Sequence, residues 1–153
     1  MTDDAARTVE LHHRFSARPE TVFDAWLDPR YMTRWMLDPD AGQAAIDLDI
    51  DAREGGGFRF RFSEAGRTRS YAGEYLKIHR PHELEFTWRV DDEADASVVH
   101  VRFQPAGPGT RLTLQHRFAS LAPDRAARVH AAWQGDFDRI SATLGQYAAG
   151  RQQ

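Results

Sequence analysis

The sequence comprises 153 residues, of which 41% are hydrophobic and 28% charged, and it contains no cysteine. This length is typical of one globular domain, so we predict a single domain over residues 1–153 with an ordered core over about residues 8–148. The formal net charge of −3 gives no argument for nucleic-acid binding, and the lack of thiols excludes disulfides, cysteine nucleophiles and cysteine-based zinc sites.

The N-terminal segment MTDDAARTVE is polar and acidic, and it lacks the apolar run of a secretory signal. No stretch of the sequence approaches the roughly 20 apolar residues that a membrane-spanning helix needs. We therefore expect a cytoplasmic protein with no membrane span.

Three elements are predicted in the first quarter of the chain. The alternating stretch RTVELHHRF is typical of a half-buried strand. In PETVFDAWLDPRYMTRWM, Pro19 and the pair Asp28-Pro29 mark two helix starts, which predicts two short helices. These helices carry more apolar side chains than a helical hairpin can bury within itself. The surplus is explained by an ordinary core, a partner surface or a cavity wall. We predict that the helices form the lid of a cavity, with Trp26 and Trp35 at its wall or mouth.

Six further strands are predicted from QAAIDLDID to RLTLQHRF, and the short turns between them indicate antiparallel pairing. The glycine-rich turn REGGG should join the first two of these strands in a hairpin that places Asp49 opposite Arg59 and Asp47 opposite Arg61. The alternation of apolar residues fails in RSYAGEYLKI, and a bulge near Tyr75 would restore it.

The last part of the chain changes to a helical period. Apolar residues recur at steps of three and four from Pro123 to about Tyr147, which predicts one long amphipathic helix. The buried face should hold Val129, Trp133, Phe137, Ile140, Leu144 and Tyr147. The whole order of elements predicts an α+β fold. A curved antiparallel sheet of about seven strands wraps the long C-terminal helix, and the two short helices follow the first strand.

Four segments strengthen this prediction because of their order: FDAWLDPRYMTRWM, GGGFRFRF, GEYLKIHRPHELEFTW and HAAWQGDFDRISATL. They resemble the START-like superfamily, which includes the birch-pollen allergen and the polyketide cyclases. Within it, the chain is most similar to the bacterial family related to the C-terminal domain of the heat-shock-chaperone ATPase activator. This resemblance spans about Val9 to Leu144. It implies a helix-grip fold, a cavity between sheet and helix, binding or processing of apolar and aromatic small molecules, and a link to the stress response.

The candidate ligand-binding residues are the apolar, aromatic and histidine side chains predicted to point between sheet and helix. They are Trp26, Met32, Trp35, Met36, Phe60, Tyr71, Trp88, His116, Phe118, Trp133 and Phe137. A plain hydrophobic core would account for the same set, whereas apolar walls with a few polar groups are typical of ligand pockets.

His116 is the polar residue of most interest, because it follows Leu112 and Leu114 in phase and should face inward. Such a histidine is either a hydrogen-bonded core residue or an acid–base catalyst. Glu74 could orient it if the bulge turns that side chain inward.

No metal or cofactor is expected. The seven histidines lack the HxxxH or HExxH spacing of metal sites. Asp47, Asp49 and Asp51 lack the glycine and glutamate of a calcium-binding loop.

Three functions are consistent with these patterns. The main hypothesis is a carrier or sensor that binds an apolar or aromatic small molecule. The alternatives are a polyketide-cyclase-like or hydrolytic enzyme that uses the same pocket with His116 as acid or base, and a chaperone-cofactor-like domain that binds another protein. The partner would accordingly be a small molecule or a chaperone, and a homodimer is a further hypothesis.

Overall fold

The computed structural model describes residues 7–91 and 95–151, with side chains described as far as residue 145. The elements follow the predicted order. The strands are β1 Thr8–Phe15, β2 Gln43–Ile50, β3 Gly57–Glu64, β4 Arg67–His79, β5 Glu83–Val90, β6 Ser97–Ala106 and β7 Gly109–Arg117. The helices are α1 Pro19–Ala25, α2 Pro29–Trp35 and α3 Pro123–Arg151, and a short 3-10 turn spans Pro39–Ala41. The side chain of Tyr147, predicted on the buried face of α3, lies outside the described residues.

The strands form one antiparallel sheet in the order β1-β7-β6-β5-β4-β3-β2. Sequential strands from β2 to β7 are neighbours because short turns join them, and β1 completes the sheet by pairing with β7. The curved sheet wraps α3, which also packs against α2, so the predicted α+β helix-grip fold is confirmed. The helix start signals are confirmed as well, since the Asp28 side chain accepts a hydrogen bond from the Arg30 backbone at the start of α2.

The predicted β2–β3 hairpin has the expected register. Asp49 lies opposite Arg59, and Asp47 lies opposite Arg61, whose Nε donates to Oδ1 of Asp47 at 2.9 Å. A register shift between Ala45 and Asp47 was not predicted. It leaves Ile46 48% exposed, so the alternation of apolar and polar residues in QAAIDLDID is interrupted at this position.

The predicted bulge in β4 is confirmed by a register shift between Tyr75 and Lys77. The shift buries Tyr75 at 2% exposure and leaves Leu76 at 42%. It also leaves Glu74 on the exposed surface, so the proposed inward rotation of Glu74 is wrong. The bulge therefore restores the inner face through Tyr75 and gives His116 no carboxylate partner from this strand.

Four tryptophans form one connected cluster in the core between sheet and helix. The ring centroids lie 4.9 Å apart for Trp26 and Trp35, 5.8 Å for Trp26 and Trp133, and 5.9 Å for Trp88 and Trp133. The indole Nε1 of Trp35 donates to the carbonyl oxygen of Ala25 at 2.9 Å, which fixes α2 against the end of α1. The helical hairpin is therefore packed into the core rather than spread over it.

A candidate ligand cavity between sheet and helix

A cavity of about 360 Å³ lies between the inner face of the sheet and α3. Its walls include Tyr71 from β4, Trp88 from β5, and Trp133 from α3. Tyr71 and Trp88 lie side by side with ring centroids 4.7 Å apart. Ligand pockets commonly measure ~300–1,000 Å³, so this cavity suits a compact molecule of a few rings better than a long chain.

Six of the predicted ligand-binding residues line this cavity. They are Met36, Tyr71, Trp88, His116, Phe118 and Trp133. The remaining five, which are Trp26, Met32, Trp35, Phe60 and Phe137, are buried in the hydrophobic core and do not line it.

The short helices do not close the cavity as a lid of tryptophans. Trp26 and Trp35 pack against each other, and Trp26 stacks on Trp133 of α3, so both indoles are buried in the core and do not border the cavity. The wall on this side is formed by Met36 after α2, by Asp38, and by Ala41 of the 3-10 turn. The surplus of apolar groups on α1 and α2 is thus largely ordinary core.

His116 belongs to a continuous hydrogen-bond network that joins four elements. The indole Nε1 of Trp133 donates to its Nδ1 at 3.0 Å, and its Nε2 lies 2.6 Å from Oγ of Ser97. Because an indole nitrogen only donates, Nδ1 must be the acceptor and Nε2 carries the proton that is donated to Ser97. The Ser97 hydroxyl in turn donates to the carbonyl oxygen of Trp88 at 3.1 Å. The network links α3, β7, β6 and β5.

The imidazole of His116 is kept neutral by its surroundings. Burial lowers the pKa of His116 to about 3, and the positive charge of Arg125 adds to this effect. Both ring nitrogens are engaged by protein groups, so neither is free to exchange a proton with a bound molecule. This arrangement favours the hydrogen-bonded core interpretation of His116 over the catalytic one.

Asp136 on α3 is a functional candidate that the sequence analysis missed. It lines the cavity, its side chain is 19% exposed, and Nη2 of Arg139 donates to its Oδ1 at 2.5 Å. Burial raises the pKa of Asp136 to about 7, the ion pair with Arg139 opposes the rise, and the charge of Asp38 adds to it. Asp136 follows Trp133 by three positions and precedes Ile140 by four. That spacing placed a carboxylate on the buried stripe of α3, which was the available signal.

Arg139 fixes the position of Asp136. Its Nε donates to the carbonyl oxygen of Trp35 at 3.0 Å, at the C-terminal end of α2, while Nη2 binds Asp136. The guanidinium thus connects the helix that carries the cavity wall to the helical hairpin.

The polar groups of the cavity divide into two ends. Asp136, Asp38 and the phenol of Tyr71 lie at one end, and the Asp136 charge and burial together raise the pKa of Tyr71 to about 12, burial being the larger cause. Arg125 lies at the other end with its guanidinium 5.0 Å from the Phe118 ring centroid. The cavity therefore offers aromatic walls, an acidic end and a cationic end.

Two searches of the described residues bear on other functional classes. Within residues 7–91 and 95–151, no three histidine, aspartate or glutamate side chains converge as metal ligands would. In the same part of the chain, no helix has the length and apolar character needed to cross a membrane.

Comparison with known families gives one match over most of the chain. The profile of the family described as Activator of Hsp90 ATPase homolog 1-like protein matches residues 16–145. A search of curated proteins found no match.

Solved structures share the fold. Protein CV1439 from Chromobacterium violaceum is 24% identical with a TM-score of 0.76, over 90% of this chain and 96% of that one. CalU16 from Micromonospora echinospora is 25% identical with a TM-score of 0.65, over 90% of this chain and 73% of that one. PFC0360w, an HSP90 activator from Plasmodium falciparum, is 24% identical with a TM-score of 0.69, over 91% of this chain and 96% of that one.

Proposed function

This chain belongs to the Activator of Hsp90 ATPase homolog 1-like family, and we propose that it is a carrier or sensor for a compact aromatic small molecule. The observation that supports this proposal most is the cavity of about 360 Å³ beside Tyr71, Trp88 and Trp133. A core packed to completion would leave no such space next to three large aromatic rings. The polar groups at its two ends are few and separated, as in pockets that orient an otherwise apolar ligand.

The aromatic walls set the scale of the affinity. A buried aromatic ring brings ~150–250 Å² out of water, and apolar burial contributes about 25 cal/mol per Å². Each ring of the ligand therefore gains a few kcal/mol before the costs of association and ordering are subtracted. We expect dissociation constants on the order of micromolar for a two- or three-ring compound.

Two measurements test the proposal. Mass spectrometry of a solvent extract of the purified protein should detect an aromatic compound that co-purifies with it. Titration with polycyclic aromatics and flavonoids should quench or shift the tryptophan fluorescence and reach saturation, whereas fatty acids should bind more weakly because the cavity is short. If no aromatic compound saturates the signal, the proposal is wrong.

A pair of alanine variants locates the binding. Ala132 lines the cavity at its open side, whereas Ala142 is exposed on the same helix and does not line it. Ala132→Phe should obstruct the cavity and weaken binding by about tenfold or more, since a large side chain then competes with the ligand. Ala142→Phe is the matched control and should bind as the wild type does. Equal affinity of both variants would place the ligand elsewhere.

A second candidate function is supported by Asp136. A cavity carboxylate with a pKa of about 7 can take up and release a proton at neutral pH, as a polyketide-cyclase-like or hydrolytic enzyme requires. Asp136 suits this role better than His116, whose ring nitrogens are both engaged. Incubation with aromatic esters and with a linear polyketone analogue tests it. Turnover that Asp136→Asn abolishes and Asp138→Asn retains would support an enzyme. No turnover above the rate in buffer would contradict the enzymatic role and leave the carrier or sensor as the proposed function.

A chaperone-cofactor role has less support from the surface. Of the large hydrophobic side chains that the structure describes, Ile46 and Leu76 are the exposed ones. A protein-binding face usually shows a contiguous apolar patch rather than isolated residues. The description of PFC0360w as an HSP90 activator applies to that protein. Co-precipitation of this chain with a purified Hsp90-type chaperone would favour this role over ligand binding.

A further inference from the structure

At the acidic end of the cavity, the protein presents more hydrogen-bond acceptors than donors. Asp136 presents a carboxylate whose Oδ1 is bound by Arg139, and Asp38 faces it from the segment before the 3-10 turn. The side chain of Asp38 already caps that turn by accepting from the backbone of Asp40. Tyr71 approaches from β4, and its hydroxyl makes no hydrogen bond to the residues that the structure describes.

A carboxylate that lines an apolar cavity is undersolvated, and a donor brought by a ligand would relieve that deficit. A ligand acceptor, such as a second carboxylate, would face the negative charges of Asp136 and Asp38, and the neighbouring cation Arg139 is already ion-paired with Asp136. The arrangement therefore selects for a donor at this end.

On the basis of the proposed ligand-binding function, we propose that the ligand presents a hydrogen-bond donor, a phenolic hydroxyl or a protonated amine, to Asp136. Its aromatic ring lies against Tyr71, Trp88 and Trp133. The charge-assisted bond to the carboxylate then orients the ring and distinguishes this ligand from a plain hydrocarbon of the same shape.

The sign of the pH dependence follows from the groups that face Asp136, which are Arg139 on its own helix, Asp38 before the 3-10 turn, and Tyr71 on β4. Burial raises the pKa of Asp136 to about 7. A donor ligand binds the ionised carboxylate, so its affinity rises with pH. Since Kd varies inversely with the competent fraction, the gain between pH 5.5 and 8.5 is as much as ~30-fold.

Four naphthalene probes of nearly equal size test the inference by fluorescence titration at both pH values. 2-Naphthol carries a hydroxyl donor, 2-naphthylmethylamine an ammonium, 2-methoxynaphthalene no donor, and 2-naphthoate an acceptor. We expect 2-naphthol or the amine to bind more tightly than 2-methoxynaphthalene, with affinity that rises with pH. The probe that binds more tightly shows whether the preferred donor is a phenolic hydroxyl or a protonated amine.

Two variants complete the experiment. Asp136→Asn should lower the affinity for the donor probe at pH 8.5 by about tenfold and remove its pH dependence, because the charge is lost. Asp138→Asn, an exposed position on the same helix, should change neither. The pH series on the wild type does not depend on whether the Asp136 variant folds.

The outcomes separate the inference from the function on which it rests. Equal binding of 2-naphthol, the amine and 2-methoxynaphthalene, or tighter binding of 2-naphthoate, would overturn the donor inference and leave an aromatic-binding cavity. Failure of all four probes to bind would overturn the proposed function, and the inference with it.

Discussion

Replacement of His116 by glutamine should change how folding stability depends on pH. His116 is 2% exposed, and its pKa falls from 6.5 in an unfolded chain to about 3 in the folded protein because of burial and, secondarily, Arg125. The neutral imidazole thus favours folding above pH 6.5, and this contribution is lost as the pH falls toward 3. Glutamine is uncharged at every pH, so the variant lacks this loss while keeping a donor and an acceptor of similar reach.

The size of this loss of stability follows from how far the pH lies below the pKa of His116 in the unfolded chain. At pH 5, the unfolded histidine is 1.5 pH units below its pKa of 6.5 and is protonated, whereas the folded one stays neutral. At about 1.4 kcal/mol per unit, the wild type loses about 2 kcal/mol between pH 8 and pH 5 through this group. At pH 8 the variant should be less stable by roughly 1–3 kcal/mol, because Trp133 or Ser97 keeps a poorer partner. At pH 5 the two proteins should therefore be nearly equal.

Urea unfolding followed by tryptophan fluorescence at pH 8, 6.5 and 5 measures the difference. The comparison of the two proteins at each pH removes the contributions of the other titrating groups, since these are common to both. A gap in stability between wild type and His116→Gln that stays constant from pH 8 to pH 5 would refute the reasoning. It would show that His116 takes up its proton in the folded protein as readily as in the unfolded chain.

Four further results are expected. Burial is the main cause that raises the pKa of Asp136 from 3.8 in the unfolded chain to about 7 in the folded protein. The wild type therefore loses stability through this group as the pH rises from about 4 to about 7. The stability of Asp136→Asn relative to the wild type should accordingly rise between pH 4.5 and 6.5, and a difference between the two urea midpoints that stays constant or moves the other way would contradict this. Ala65→Asn should raise the free energy of unfolding by about 0.5–1 kcal/mol, because Ala65 has φ of 51° in a two-residue hairpin loop; a lower midpoint would show that the strain is absent. Asp47→Asn should change the urea midpoint little, since the ion pair of Asp47 with Arg61 is half-exposed and screened by solvent, and a large drop in the midpoint that persists at high salt would argue otherwise. Chelator treatment should leave the Tm unchanged, whereas a drop of several degrees would reveal a bound metal.

The sequence was sufficient for the elements and for most of the strand faces. Proline at Pro19 and Pro29 marked the two helix starts, and the failed alternation around Tyr75 located the bulge. These features are local, because backbone geometry and side-chain period act over a few residues. The hairpin register of Asp47 and Arg61 followed from the same local pattern, since the turn length fixes which residues meet.

The candidate site was predicted only in part, because periodicity indicates which face is buried and not how far apart two surfaces lie. The sequence pattern places both Trp26 and Trp88 on a face predicted to be buried. In the structure, however, Trp88 borders the cavity and Trp26 is packed away from it. The bulge beside Ile46 lies on an edge strand, where no second partner strand constrains the pattern. Asp136 was missed because the apolar residues alone were used to trace the stripe on α3. Its pairing with Arg139 is an (i, i+3) contact within α3, whereas its place at the cavity depends on how α3 packs against the sheet.

The contact between the four tryptophans has an optical consequence. Their rings form an unbroken series, from Trp35 through Trp26 and Trp133 to Trp88, with no step longer than 5.9 Å. At such separations the indole transitions couple, and excitation absorbed by one ring migrates among all of them. The cluster should behave as a single chromophore, with an exciton couplet in circular dichroism and strongly depolarised emission. A molecule that quenches the fluorescence of Trp88 at the cavity would then quench the emission of all four tryptophans.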